Sequence, residues 1–491
     1  MLRRLIDKNV RISGASYKSK MNKFTILHIS DLHKLDGTNY EALLQSLLTD
    51  RDAYLAAGVP NPKYVVVSGD LIHGGDTAEE IRAQYAETNA FLASIVGEFL
   101  EHNKQRILIV PGNHDMSFPH SKNSMMSEAA ANNEQNLGLF WKGHPEIRWN
   151  WKELSFYRIT NAEEYKKRFD LFREFYNDFY EGVRTYPEDP ISSAECYSFA
   201  DDKVTFALFN SCKRLDHLND TADIDDDALV SVTPKLRATF NQGFLNVAIW
   251  HHHFYGAPRE TNYLDREVIN KMSHSYIQIG LFGHQHISQI AEFYGGDLAL
   301  GESADNQRVL LISSGTLFGG KKELPDGYKR QYNVIEVASE NGEAKIEIHV
   351  REDNNHNVES KLPIWHPKPI SPTASIKTSV KLKKLDEREI LASILRTAQE
   401  SGDYKNAYNQ LKGIVMTGGL YQSIRAEVIR GIKDNRFLLD NLQPETKNDY
   451  MLLMACAERE NDTEAKQRLK SDERLKSMLV DSIVKEMYER L

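Results

Sequence analysis

The sequence predicts an α/β fold in which two facing β-sheets are flanked by helices, with a helical insertion and a C-terminal all-α module. Three observations predict it. Apolar runs of strand length alternate with amphipathic helical stretches over residues 24–110, as βαβ units do. Later runs at 331–337 and 344–350 alternate apolar with polar residues, the pattern of half-exposed antiparallel strands in a second sheet. Beyond residue 384 the periodicity is helical to the end.

The 491 residues are 41% hydrophobic and 27% charged, ordinary proportions for globular protein and enough chain for two or more domains. A formal net charge of -9 argues against a general electrostatic grip on nucleic acid, though not against a local basic groove. Cys196, Cys212 and Cys456 lie far apart without metal-type spacing, which fits a reducing cytoplasm rather than a disulfide framework. No apolar run approaches the roughly 20 residues that span a bilayer.

In chain order, residues 1–23 read as a leader or an upstream start choice: Arg3 and Arg4 give the charge of a signal peptide, but no apolar core follows, and Met21 stands just before the first strand. Phe24–Ser30 is that strand, ending in Asp31-Leu32-His33. A helix over 38–58 leads to the strand Tyr64–Ser68 and Gly69-Asp70, and a helix over 77–103 to Arg106–Val110, Pro111 and Gly112-Asn113-His114-Asp115. This order implies a parallel sheet with right-handed crossovers, whose ligands lie beyond the carboxyl ends of the strands. Residues 116–190 break the rhythm with Trp141, Trp149, Trp151 and an aromatic stripe of Phe169, Phe172, Phe175 and Tyr176. They read as an insertion over the rim of the site, the stripe itself as core packing. Strands resume at 204–209, 245–250, 276–282 and 309–314 and carry the main domain, 24–352, to its end. Four prolines within Leu362–Pro372 mark 353–383 as a semi-extended linker. The module at 384–491 is a set of helical hairpins of near-balanced charge, suited to a protein partner or to self-association.

Polar residues gather at the predicted strand ends: Asp31 and His33, Asp70, Asn113 and His114, His251, then His284 and His286. Residues two apart on an extended strand face the same way, so Asp31 with His33, and His284 with His286, can each clasp one ion. Carboxylate oxygen with imidazole nitrogen suits Mn, Fe or Zn better than Ca or Mg. Setting His114 aside, two carboxylates, one amide and four histidines exceed the needs of one ion but would serve two, roughly 3.5–4 Å apart and sharing a carboxylate. Trp250 is followed by His251, His252 and His253. His253 would point the same way as His251 and is its rival; His252 would point away.

In this order and context the residues resemble the calcineurin-like metallophosphoesterase superfamily, whose pattern runs D-x-H, G-D, G-N-H-D/E, a lone H, then G-H-x-H. Here these are Asp31-Leu32-His33, Gly69-Asp70, Gly112-Asn113-His114-Asp115, His251 and Gly283-His284-Gln285-His286, and the match covers roughly 24–350. The resemblance implies one metal on Asp31, His33 and His286, a second on Asn113, His251 and His284, and Asp70 bridging them. It implies hydrolysis of a phosphoester through attack by a metal-bridging hydroxide. His114 would face the phosphate, and Asp115 would orient His114. Asn210–His217 resembles a loop of the bacterial, cyclic-nucleotide-phosphodiesterase-like branch. Lys213, Arg214 and His217 there read as contacts to a second phosphate or a base, against a solvated loop.

His73 reads equally as a substrate contact or a surface loop residue, and His253, if not a ligand, as a further contact. His28, mid-strand, reads as a satisfied core histidine. Asp223–Asp227 lacks the glycine and distal glutamate of a calcium loop and reads as a solvated turn. The leading expectation is a cytoplasmic dimetal phosphodiesterase acting on a nucleotide or nucleic acid. The alternatives are a phosphomonoesterase, a nuclease, or a regulatory effector recruited to a partner through 384–491.

Overall fold

Tyr64–Ser68, Ile107–Val110 and Leu245–Ile249 are buried at every position, and their β-branched and aliphatic content suits strands covered on both faces. The computed structural model describes residues 22–33, 39–256, 262–294, 308–318, 324, 327–340, 342–354, 363–369, 374–383, 387–412 and 419–491. The chain divides into two units, one spanning Met21–Lys384 and one containing Leu385–Leu491.

In the first unit the strands are β1 (Asn22–Ile29), β2 (Tyr64–Ser68), β3 (Ile107–Val110), β4 (Met125–Ser127), β5 (Ile147–Asn150), β6 (Ser155–Ile159), β7 (Glu195–Phe199), β8 (Val204–Leu208), β9 (Leu245–Ile249), β10 (Ile279–Phe282), β11 (Ile290–Tyr294), β12 (Arg308–Ser313), β13 (Gln331–Glu340), β14 (Glu343–Asp353), β15 (Trp365–Pro367) and β16 (Ile376–Lys381). One sheet runs β15-β14-β13-β1-β2-β3 with β16 also on β14; the other runs β11-β12-β10-β9-β8-β7. β1, β2 and β3 are parallel, as are β8, β9, β10 and β12, so their carboxyl ends share an edge in each sheet. Phe24, Ile26, Val66 and Leu108 of the first sheet pack with Phe206, Val247, Leu281 and Leu310 of the second. The outer face of the first sheet is covered by the helices Tyr40–Ala56 and Ala78–Leu100, and that of the second by Asp226–Phe240 and Arg266–His274.

Two expectations change here. The segment 353–383 is not a linker over its described residues: β15 and β16 both pair with β14. An edge strand accommodates proline because one row of its backbone groups needs no partner, and Trp365 anchors β15 by donating from Nε1 to Ser46 Oγ at 3.0 Å. The insertion 116–190 is only partly helical. It holds a three-stranded sheet, β4-β6-β5, while the aromatic stripe of its helix Asp170–Tyr180 packs inward as expected: Phe172, Phe175, Tyr176 and Phe179 join the core of the first sheet. The expected leader lies outside the described residues, except for Asn22 and Lys23, which open β1.

Asp50 ties the helix Tyr40–Ala56 to β13 and β14. Its carboxylate takes Arg351 Nε at 2.8 Å and the Tyr332 hydroxyl, with Asp50 3% and Arg351 5% exposed. Asp50→Ala strands a buried guanidinium, so a loss of about 3–5 kcal/mol is expected in the denaturant midpoint; a change under about 1 kcal/mol would show that the pair is solvated instead.

In the second unit helices from Glu387–Ser401 to Ser482–Arg490 bury Leu391, Tyr408, Leu411, Val428, Leu453 and Met454 together, around the buried ion pair Arg425–Asp449 at 2.8 Å.

Candidate metal centre

At the carboxyl ends of β1 and β2 the chain cannot continue as strand: Asp31 and Asp70 take φ of 53° and 54°. Left-handed backbone is costly outside glycine and persists where the surroundings over-determine it. His284 and His286, after β10, take φ of 77° and 60°. The turns are laced together, with Asp31 N–H donating to Gly69 O at 3.0 Å and Leu32 N–H to Asp70 O at 2.7 Å. The effect is to aim side chains from five strand ends, those of β1, β2, β3, β9 and β10, at one point.

Those side chains meet in two adjoining sets. In the first, Asp31, His33 and His286 offer ligand atoms within 4.8 Å of one another. Asp31 Oδ1 lies 3.3 Å from His286 Nε2, and the Nε2 atoms of His33 and His286 face each other at 3.2 Å. In the second set His251 Nε2 lies 3.2 Å from Asp70 Oδ2, 3.0 Å from Asn113 Oδ1 and 3.3 Å from His284 Nδ1, which is itself 3.1 Å from Asn113 Oδ1. Asp70 stands between the sets, because its carboxylate groups with both Asp31 and His251 within 4.8 Å.

This donor set fits cations. Asp31 and Asp70 are at most 2% exposed, and Asp31 Oδ1 has no hydrogen-bond donor among the described residues; buried carboxylates are held by cations or pay heavily. His251 Nδ1 meets the Ser68 carbonyl at 2.8 Å. A carbonyl only accepts, so Nδ1 keeps its proton in either ring state and Nε2 is the nitrogen that faces the site, its proton the one a cation would displace. Burial holds His284 down to about 3 and lowers His33, keeping both rings neutral. On His251 burial opposes charge, but Asp70 and Asp31 outweigh it and raise the ring to about 9.

Close approach explains the glycines. A Cβ on Gly112 would sit 2.2 Å from Asp70 Oδ1 and 2.4 Å from Asp70 N, and one on Gly283 would sit 1.9 Å from Ser30 Oγ. Gly112 itself has φ of -109°, which any residue adopts, so its role is close approach and not backbone freedom.

His114 is half-exposed beside this cluster. Its N–H donates to Asp70 Oδ1 at 2.9 Å, its Nδ1 meets the His73 carbonyl at 3.1 Å, and its ring stands 5.2 Å from that of His33. Asp115 does not orient it. The Asp115 carboxylate is wholly buried and accepts from Gly112 N–H at 2.8 Å, Leu71 N–H at 3.1 Å and the Tyr85 hydroxyl at 3.3 Å. Burial and Asp70 push Asp115 up to about 7 despite the backbone donors. Asp115 thus staples the loops after β2 and β3.

His73 is exposed, with its ring stacked on His114 at 5.6 Å. His253 is turned away from the ligands: its Nδ1 accepts from Tyr255 N–H at 2.9 Å and its ring lies between Phe254 and Phe282, each at 5.0 Å. His252 meets Ser211 Oγ at 2.8 Å from behind. His28 is satisfied only at Nε2, by Ser68 Oγ at 3.0 Å. Lys213 and Arg214, expected to meet phosphate, instead meet acids: Lys213 pairs with Asp225 at 3.0 Å and Arg214 with Asp223 at 2.9 Å. Asp223 and Asp225 of the acidic run are their counterions, while Asp226 and Asp227 are exposed and open the helix Asp226–Phe240. His217 Nδ1 is taken by Ser121 Oγ at 2.7 Å. Ser68 ends an apolar strand, Ser211 lies in a loop, and Gln84 and Tyr85 sit in an amphipathic helix, so none of these supports of the site stands out in the sequence.

The family model of the calcineurin-like phosphoesterases matches residues 24–288, more than half of the chain. The chain belongs to this family. Membership makes this phosphoesterase a hydrolase and implies a dinuclear metal centre at the donors described. Among solved structures it is similar to a dimetal phosphatase from Danio rerio, at 11% identity and a TM-score of 0.37, covering 73% of this chain and 99% of that one. It is also similar to PhoD, at 12% identity and a TM-score of 0.41, covering 75% and 71%. The calcineurin-like phosphoesterase YfkN from Bacillus subtilis matches at 11% identity and a TM-score of 0.28, covering 84% and 100%. No match is found among curated protein sequences.

Proposed function

We propose that this phosphoesterase hydrolyses a phosphodiester of a nucleotide or nucleic acid. The observation that carries the metal-dependent reading is the pair of adjoining donor sets with Asp70 between them. Asp31, His33 and His286 would hold one ion, and Asn113, His251 and His284 the other. Carboxylate with imidazole favours Mn, Fe or Zn. Two such ions, when bound, neutralise phosphoryl oxygens and acidify water for attack at phosphorus. The diester preference rests on the motif pattern of the bacterial branch. That pattern is the loop Asn210–His217, so the preference rests on sequence likeness and not on a phosphate contact by Lys213, Arg214 or His217, which are engaged elsewhere.

Residues of the chain supply the rest. The His73 carbonyl holds the proton on His114 Nδ1, leaving Nε2 for a phosphoryl oxygen or, when protonated, for donation to the leaving oxygen. His114→Ala is expected to retain metal and lose turnover about 100-fold or more; metal loss in this variant would make His114 part of the metal-holding shell. A panel of bis(p-nitrophenyl) phosphate, cyclic nucleotides, single-stranded DNA, RNA and phosphomonoesters tests the substrate class. Faster hydrolysis of monoesters throughout would overturn the diester reading in favour of a phosphomonoesterase.

The three cysteines are free, which supports the cytoplasm; no helix of the described residues is long and apolar enough to cross a membrane. The unit containing 385–491 has its own core and exposes Val480 at 96% and Ile483 at 57%, features that support docking of a protein partner. A chain ending at Lys384 keeps β16 and should still hydrolyse the chromogenic diester while losing that partner; unchanged partners would exclude recruitment by this unit.

A further inference from the structure

We propose that Gln84 is a positioning residue for His114, acting by clamping the 73–74 loop whose carbonyl fixes the His114 ring. The proposal rests on the reading that His114 faces the phosphate. Gln84 stands near the start of the helix Ala78–Leu100 and uses both ends of its carboxamide on that loop. Its Oε1 accepts from His73 N–H at 2.8 Å, and its Nε2 donates to Gly74 O at 2.6 Å. Gly74 lies at φ of 83°, a left-handed backbone that two hydrogen bonds to one side chain can hold in place. The His73 carbonyl thus presented meets His114 Nδ1 at 3.1 Å. Because a carbonyl only accepts, this contact selects the tautomer with the proton on Nδ1 and commits Nε2 to the substrate.

Two further features show that the clamp is anchored. Tyr85, the next residue of the helix, donates its hydroxyl to Asp115 O at 3.0 Å. Consecutive helix residues therefore hold His114 from two directions, through its ring and through the main chain that follows it. The helix start is itself fixed, because Thr77 and Glu80 form a capping box and Glu80 Oε2 also accepts from Asp76 N–H at 3.0 Å. The His73 ring, stacked on His114 with an interplanar angle of 18°, limits the motion of the imidazole on its other side. A neutral amide performs this task without adding charge beside two carboxylates.

The test uses the full-length protein loaded with zinc and compares Gln84→Leu, Gln84→Glu, His114→Ala and the double variant Gln84→Leu with His114→Ala. Gln84→Leu is expected to keep its metal, to lose the Nδ1-protonated signature of His114 in ring-nitrogen NMR, and to lower kcat on bis(p-nitrophenyl) phosphate about tenfold or more with KM little changed. Gln84→Glu keeps an acceptor for His73 N–H but sets an oxygen against Gly74 O in place of the donor, so the His114 signature should weaken as in Gln84→Leu. In the His114→Ala background Gln84→Leu should cost nothing more. An unchanged His114 signature in Gln84→Leu, loss of metal in that variant, or a full further loss in the double variant would each overturn the clamp. Wild-type turnover by His114→Ala would instead remove the phosphate-facing role of His114, while the NMR comparison still decides whether Gln84 holds the ring.

Discussion

Asp70→Ala is expected to abolish metal binding at both positions and, with it, hydrolysis. The Asp70 carboxylate serves both donor sets: it groups with Asp31 of one and His251 of the other, and it takes His114 N–H at 2.9 Å. Removing it withdraws a shared anion and leaves His251 facing Asn113 and His284 without the charge that draws a cation there. Loss of a residue that merely orients a ligand typically costs about 10–100-fold in metal affinity, so loss of a shared ligand should exceed about 100-fold at each position. Elemental analysis of purified Asp70→Ala beside His114→Ala measures this directly. Retention of one full metal equivalent by Asp70→Ala would place Asp70 in a single set.

Gly112→Ala should be nearly as severe, although it removes no functional group. The added carbon would stand 2.2 Å from Asp70 Oδ1 and 2.4 Å from Asp70 N, and neither backbone nor a buried carboxylate can yield that much. Overpacking of this kind costs about 1–3 kcal/mol. The larger consequence is displacement of Asp70, so metal affinity and turnover should fall together while secondary structure persists. Since φ at Gly112 is ordinary, backbone freedom is not the cause, and serine should fail as alanine does. Normal metal content in Gly112→Ala would show that the loops after β2 and β3 can part without consequence.

Much of this was legible in the sequence because the signals are local. Tyr64–Val67 is an unbroken apolar run and Leu245–Ile249 is apolar but for Asn246, and Asp31, Asp70, Asn113 and His251 each come within three residues of the end of such a run. What escaped depends on partners distant in sequence. β15 and β16 lie in a stretch of prolines and polar residues, and only the edge of β14 makes them strands. β4, β5 and β6 are three to five residues long, too short for alternation to register. Asp115 follows His114 in the chain, yet its partners are Leu71, Gly112 and Tyr85. Lys213 and Arg214 looked available because the acids that neutralise them, Asp223 and Asp225, are brought back by a loop. The choice between His251 and His253 turned on side-chain direction: one ring meets Asp70 and Asn113, the other is sandwiched between Phe254 and Phe282.

The most direct test is metal stoichiometry read together with hydrolysis of bis(p-nitrophenyl) phosphate on the same full-length preparation. About two transition-metal ions per chain are expected, with activity that a chelator removes and Mn, Fe or Zn restores. A protein that binds no metal and stays inert after Mn is supplied would contradict a dinuclear phosphoesterase at Asp31, His33, Asp70, Asn113, His251, His284 and His286.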